Sequence, residues 1–113
     1  MAIFYKNQGF TLNTTNLTTI LTIDASSRAL VKNIAVTNEH STNNLIEMYL
    51  ADSSASTDYE FFHKNMIQDE TAQAAGQLLV LEENDAIKAQ AETAGVVRGV
   101  ISYALLNRLR ENG

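Results

Sequence analysis

Residues 78–109 read LLVLEENDAIKAQAETAGVVRGVISYALLNRL, and how this stretch folds decides the architecture of the whole chain. Apolar runs flank an Asn84-Asp85 corner and an Ala94-Gly95 turn. The stretch then closes in Gly95-Val96-Val97-Arg98-Gly99-Val100-Ile101-Ser102-Tyr103. Short runs of β-branched and apolar residues bounded by Gly, Asn and Asp are strand and turn signals. Between the two corners, 85–92 (DAIKAQAE) carries strong helix formers behind a capping Asp and ahead of Gly95. Its pattern nevertheless has period two: Ala86, Lys88, Gln90 and Glu92 oppose Ile87, Ala89 and Ala91. A strand is therefore predicted over 85–92, and the segment reads as the end of an antiparallel β-sandwich with no catalytic grouping.

The same vocabulary extends toward the N-terminus. Residues 17–23 (LTTILTI) suit a pleated surface with one wet face, and 45–50 (LIEMYL) and 59–63 (YEFFH) are further strand candidates. In the last of these, Tyr59, Phe61 and His63 are predicted on one face, with Glu60, Phe62 and Lys64 on the other. Residues 29–36 (ALVKNIAV) alternate imperfectly. Leu30, Lys32, Ile34 and Val36 fall on one parity and Ala29, Val31, Asn33 and Ala35 on the other, so either face could be covered. The chain has no proline, so its turns fall to Gly, Asn, Asp and Ser, which cluster at 7–9, 24–27, 38–44, 52–56, 74–76, 83–85 and 93–95. Residues 69–75 (DETAQAA) favour helix but are too short for a stable one, so a loop with at most one helical turn is expected.

The expected fold class is all-β: a single antiparallel β-sandwich, jelly-roll or immunoglobulin-like, with at most short helical turns. Residues 1–12 are expected to form an N-terminal arm or first edge strand, because Phe4, Tyr5 and Phe10 are separated by the run from Lys6 to Gly9. Residues 13–113 are expected to form the sandwich domain. No internal repeat or linker divides the chain.

At 113 residues, 45% hydrophobic, the chain is sized for one packed core. Eight basic against thirteen acidic residues argue against phosphate-backbone recognition, and Arg108 and Arg110, with Glu111 beside them, read as a solvated tail. No cysteine is present, which excludes disulfides and thiolate zinc sites. No apolar run reaches the roughly 18 to 20 residues of a membrane span, and neither a membrane nor a nucleic-acid partner is expected. The N-terminus lacks the pattern of a secretory signal, so synthesis in a cytoplasm is expected, and the acceptor patterns at Asn13 and Asn16 read as turn and strand residues.

The candidate chemical groups stay scattered. His40 lies in the polar turn NEHSTN without a second ligand at characteristic spacing. His63 is within reach of Asp58 or Glu60, an imidazole and carboxylate set that would hold a divalent ion only if the backbone made it converge, which this spacing does not enforce. The carboxylates at Asp69-Glu70, Glu82-Glu83 and Asp85 flank turns and read as solvated. Ser102 lacks the flanking glycines of a nucleophile elbow, and Gly95 and Gly99 lack the further glycine and helix of a phosphate loop. Tyr49, Tyr59, Phe61, Phe62 and Tyr103 read as core, with a stacking platform for a sugar as the alternative. No catalytic, cofactor or metal site is expected, and function is expected to lie in surfaces.

From Val31 onward the order of elements resembles small structural proteins of tailed-bacteriophage virions. The resemblance rests on VKNIAVTN from Val31 to Asn38, on IEMYL from Ile46 to Leu50, and on Tyr59 to Lys64. It continues through LVLEENDAIKA from Leu79 to Ala89 and the closing VISY from Val100 to Tyr103. It covers about two-thirds of the chain and is a pattern of strands and corners. It implies a β-sandwich carried in many copies on a particle, as a capsid decoration (cement) protein or as a neck, head–tail connector or tail/fibre component. The implied partners are a major capsid protein or neck and tail proteins, and the implied location is the virion, after synthesis in a host cytoplasm. A carbohydrate-binding sandwich module is the competing reading from another class. Self-association is expected, with a trimer ahead of other stoichiometries, through Ile3, Phe4, Tyr5, Phe10, Leu105, Leu106 and Leu109. The pattern departs after Tyr103, where 104–112 (ALLNRLREN) runs on and is expected to add a helical turn for neighbour contacts.

Overall fold

The computed structural model describes residues 2–107. It holds nine strands: β1 (Ala2–Thr11), β2 (Thr18–Thr22), β3 (Ser27–Asn38), β4 (Asn44–Asp52), β5 (Thr57–Met66), β6 (Thr71–Ala75), β7 (Leu79–Leu81), β8 (Ala86–Ala91) and β9 (Val97–Asn107). One sheet has the order β1-β9-β3-β6, with β7 also on β3, and the other has the order β2-β8-β4-β5. Every pairing is antiparallel, and no helix forms among the described residues. The expected sandwich is the observed fold, and its decisive segment folds as predicted, with 86–91 a strand in place of a helix.

The two sheets close on a core that includes Val31, Ile34, Val36, Ile46, Met48, Ile87, Ala89, Val97 and Ile101, all fully buried. Burying each large aliphatic side chain contributes about 1.5 to 3 kcal/mol. The imperfect alternation of 29–36 has a structural cause. The register of β3 against β9 shifts between Val31 and Asn33, so Lys32 is the extra residue of a bulge. Ala29 and Val31 point inward before it, and Ile34 and Val36 point inward after it. One inserted residue moves the apolar set from one parity to the other.

The secondary structure departs from the sequence expectations in three places. The first concerns 69–75, which is no loop: Thr71–Ala75 is strand β6. It pairs with β3 at Ile34 to Thr37, while β7 takes the same edge of β3 at Ala29 to Val31, so β6 and β7 act as one interrupted partner. Helix propensity yields here to the open hydrogen-bonding edge of β3. Second, the polar run 7–9 is no corner but the middle of β1, paired without interruption to β9. Residues 1–12 thus supply an edge strand. Third, residues 104–107 make no helical turn but extend β9, and the rest of the extension lies outside the described residues.

Asp85 is also not solvated. It is buried, and its carboxylate accepts the Ser53 amide at 3.0 Å and the Glu82 amide at 2.9 Å. It thereby ties the β4–β5 loop to the β7–β8 corner, where Asn84 takes φ 67°. Two buried asparagines do similar work at the other end. The Asn38 side chain donates to the Met66 and Ile67 carbonyls at 3.0 and 3.1 Å, and that of Asn44 bonds both the amide and the carbonyl of Thr93.

Gly99 marks a close approach. A Cβ there would lie 2.3 Å from the Phe10 ring and 2.6 Å from the Ala35 carbonyl oxygen, so the ring lies over the bare glycine. Gly99→Ala is expected to lose about 1 to 3 kcal/mol by overpacking, whereas Gly76→Ala, with no contact closer than 3.9 Å, is expected to be near neutral in urea denaturation. Asp85→Ala, which strands two backbone amides, is expected to cost about 1 to 3 kcal/mol in the same assay; an unchanged midpoint would show that the tie carries no stability.

Candidate assembly surface

The outer faces of the two sheets differ in kind. On the larger sheet, residues of odd parity in β1 and even parity in β9 point away from the core. Their registers place Ile3 opposite Leu106, and Tyr5 opposite Ala104. Ala104 faces Leu30 of β3, which in turn faces Val80 of β7. The result is an apolar row (the strip) from Tyr5 through Ala104 and Leu30 to Val80, with Ile3 and Leu106 along one side; Ala104 is buried and Leu30 and Leu106 are half-buried within it. Tyr5 is 77% exposed, Ile3 55% and Val80 47%. Charge sits at the rim: Arg28 binds Glu83 at 3.0 Å, and the Lys32 ammonium lies 5.1 Å from the centre of the Tyr5 ring. Lys32 shares the outward parity of Leu30, and from that face its ammonium reaches the Tyr5 ring. Exposed apolar side chains with a charged rim are the anatomy of a protein-binding patch.

The sequence-selected contact residues divide between the two faces. Ile3, Tyr5 and Leu106 belong to the strip. Phe4 and Leu105 line a cavity of about 220 Å3 on the other side of the sheet, together with Lys6, Asp24 and Asn107. Phe10 packs against the core over Gly99. Leu109 lies outside the described residues. Leu30 and Val80 were missed, because their exposure depends on which parity the Lys32 bulge turns outward.

The outer face of the smaller sheet is polar. Here the predicted face of β5 is corrected: the register against β4 shifts between Met48 and Tyr49, leaving Phe61 as the extra residue of a bulge. Glu60 and His63 therefore share a face instead of opposing each other, beside Glu47 and Tyr49. His63 Nδ1 lies 3.2 Å from Glu60 and 3.4 Å from Glu47, and the Tyr49 hydroxyl donates to Glu47 at 3.1 Å. Asp58 is turned to Lys88 at 3.2 Å. The imidazole and two carboxylates lie within 4.8 Å of one another, a spacing that a divalent ion would tolerate. Ion pairing explains the arrangement as it stands.

The hydrogen bond to Glu60, with the Glu47 charge behind it, raises the His63 pKa above the ordinary 6.5. The reciprocal bond from His63 holds Glu60 below 4.5. Desolvation, followed by the bond to Glu47, pushes Tyr49 up to about 12. The aromatics form no continuous platform: Tyr49 is tied to Glu47, Tyr103 is buried and Tyr59 is exposed, and Phe61 and Phe62 pack on the core. His40 remains in its polar turn, where its backbone amide donates to Asn38 Oδ1. Ser102 sits mid-strand in β9, paired with Asn7 on one side and Asn33 on the other.

No family model matches the sequence, and no curated protein matches it. Among solved structures, a chain of the acidic stable capsid structure of Helicobacter pylori bacteriophage KHP30 is similar over 93% of this chain and 87% of that one. Its TM-score is 0.58 at 11% identity. A pentameric capsid protein isolated from metagenomic phage sequences matches 87% of this chain and 60% of its own length, with TM-score 0.41 and 17% identity. A chain of the cyanophage Pam1 capsid asymmetric unit matches 91% and 83%, with TM-score 0.41 and 17% identity. The first likeness shows a shared β-sandwich fold.

The signs of the two pKa shifts define a pH window. A raised His63 pKa contributes stability that is complete below 6.5 and fades as pH rises through the folded value. A lowered Glu60 pKa contributes stability present above 4.5 and lost as pH falls through the folded value. The pair is therefore tightest between these limits. An NMR titration is expected to place the His63 midpoint above 6.5, and Glu60→Gln is expected to bring it back down; an unmoved midpoint in that variant would refute the pairing.

Proposed function

We propose that this chain is a non-enzymatic structural protein of a bacteriophage virion, acting as a capsid decoration (cement) protein that docks on a major capsid protein through its apolar strip. The strip of Tyr5, Leu30 and Val80, with Ile3 and Leu106 beside it, is the single observation that carries this reading. It offers a partner an apolar centre with a charged rim, on a rigid sheet that needs no rearrangement to bind. The fold shared with a chain of the KHP30 capsid structure supports the same reading. So does the scattering of polar groups: His40, His63, Ser102 and Asp85 lie in different parts of the fold, with no nucleophile and base brought together. The interrupted set of aromatics gives little support to a sugar platform.

The opposite, charged face suits exposure to solvent once the strip is covered. A cement role asks for this two-sidedness, because the protein must adhere by one face and keep the particle soluble by the other. A neck or tail component would use the same strip on a different neighbour.

Cryo-electron microscopy of the virion carrying this chain is expected to show its density on the outer shell, with the β1-β9-β3 face against the capsid. Density confined to the neck or tail would replace the cement reading, and absence from purified particles would end the virion reading altogether. Val80→Glu places a charge at the exposed β7 end of the strip. It is expected to weaken particle binding by about tenfold or more while leaving the circular-dichroism spectrum of the isolated domain unchanged.

A further inference from the structure

We infer that β1 is a self-pairing edge: two copies of this chain join their β1 strands antiparallel about a two-fold axis through Asn7, making one continuous sheet across the pair. This interface shares Ile3 and Tyr5 with the apolar strip but is made through the backbone groups of the β1 edge, and it does not depend on a place in a virion.

β1 stands apart from the other edges of the two sheets. The far edge of its own sheet is split between the short strands β6 and β7. In the second sheet both edges, β2 and β5, carry register irregularities. Such devices keep edges from pairing with other chains. β1 has none of them. It runs for 10 residues in unbroken register with β9, has no proline, and bears one charged residue, Lys6.

The direction of its open hydrogen-bonding groups follows from the end of the ladder. The Leu12 amide donates to the Val97 carbonyl at 3.0 Å, so the even-numbered residues before it turn their backbone groups toward β9. Ile3, Tyr5, Asn7, Gly9 and Thr11 turn theirs to the free edge. An antiparallel mate must satisfy those odd positions, and the sequence selects the register. Centred on Asn7, the pairs are Ile3 with Thr11, Phe4 with Phe10, Tyr5 with Gly9, and Lys6 with Gln8.

Three of these pairs favour the register. Phe4 and Phe10 form a cross-strand aromatic pair on the inner side of the sheet. The Tyr5 ring of one copy, which in the single chain lies against the Lys32 ammonium, turns outward to cover the bare Gly9 of the other, as aromatic side chains do for edge glycines, and finds the partly exposed Val100 beside it, since Gly9 pairs with Val100 in β9. Lys6 meets a neutral amide. Shifting the centre to Lys6 sets two ammonium groups opposite each other and loses both aromatic pairings. Shifting it to Gln8 puts Lys6 across from Phe10. The occupant that fits this edge is therefore a second β1.

The chain has no cysteine, so single thiols report the register directly. Light scattering of the intact protein is expected to give twice the chain mass. Asn7→Cys is expected to form a disulfide dimer on mild oxidation, because the two residues face each other across the axis at a separation a disulfide spans. Tyr5→Cys alone and Gly9→Cys alone are expected to give none, since like positions lie about 13 Å apart along the strands. An equimolar mixture of those two variants is expected to cross-link. Asn7→Pro removes an outward amide and leaves the bonds to β9 in place, so loss of the dimer with an unchanged circular-dichroism spectrum is expected. A monomeric or trimeric protein, or Tyr5→Cys cross-linking as readily as Asn7→Cys, would overturn the inference. These measurements use the isolated chain, so a dimer that fails to bind particles would sink the cement reading alone.

Discussion

Strand β9 is paired along its length with β1 on one side and β3 on the other, and the other features of the molecule depend on that double ladder. It joins segments from opposite ends of the described chain, so the larger sheet cannot form locally and its loop-closure entropy must be met before the contacts reward it. Inward, β9 sends Val97, Ile101 and Tyr103 into the core; outward, it supplies Ala104 and Leu106 to the apolar strip. Gly99 sets how closely its neighbours pack, since the Phe10 ring and the Ala35 carbonyl occupy the space where a side chain would stand.

Bulges decide which residues share a surface. At Lys32 the extra residue keeps β3 apolar toward the core on both sides of a parity change. At Phe61 the extra residue brings Glu60 and His63 together opposite Glu47 and Tyr49. At Phe61 the single inserted residue creates the cluster, and without it the alternation of the strand would have divided the same side chains between faces.

The domain therefore presents one apolar and one charged outer face, plus an open edge at β1. Protein-binding patches and polar surfaces commonly lie apart in proteins that attach to a larger assembly by one side. The cement reading draws on that division, and the edge adds a second kind of contact, made through backbone groups and governed by register instead of by buried area.

Much of the fold was legible in the residues themselves. Gly95, Asn84 and the Asp24 to Ser27 cluster mark true corners, the alternation of Ile87, Ala89 and Ala91 outweighs their helix propensity, and the run from Val97 to Ile101 opens the long strand it looks like. These are local properties, set by backbone preference and by period-two burial, so a single sequence carries them. Strand β6, the burial of Asp85, the sharing of a face by Glu60 and His63, and the membership of Leu30 and Val80 in the strip were decided only in three dimensions. Each depends on a partner far along the chain: the open edge of β3, the Ser53 amide, the register of β4, and the bulge against β9. Hydrogen-bond registry between distant strands leaves no periodic trace in either strand alone, which is why the sequence determined a β-sandwich and the tertiary structure determined its surfaces.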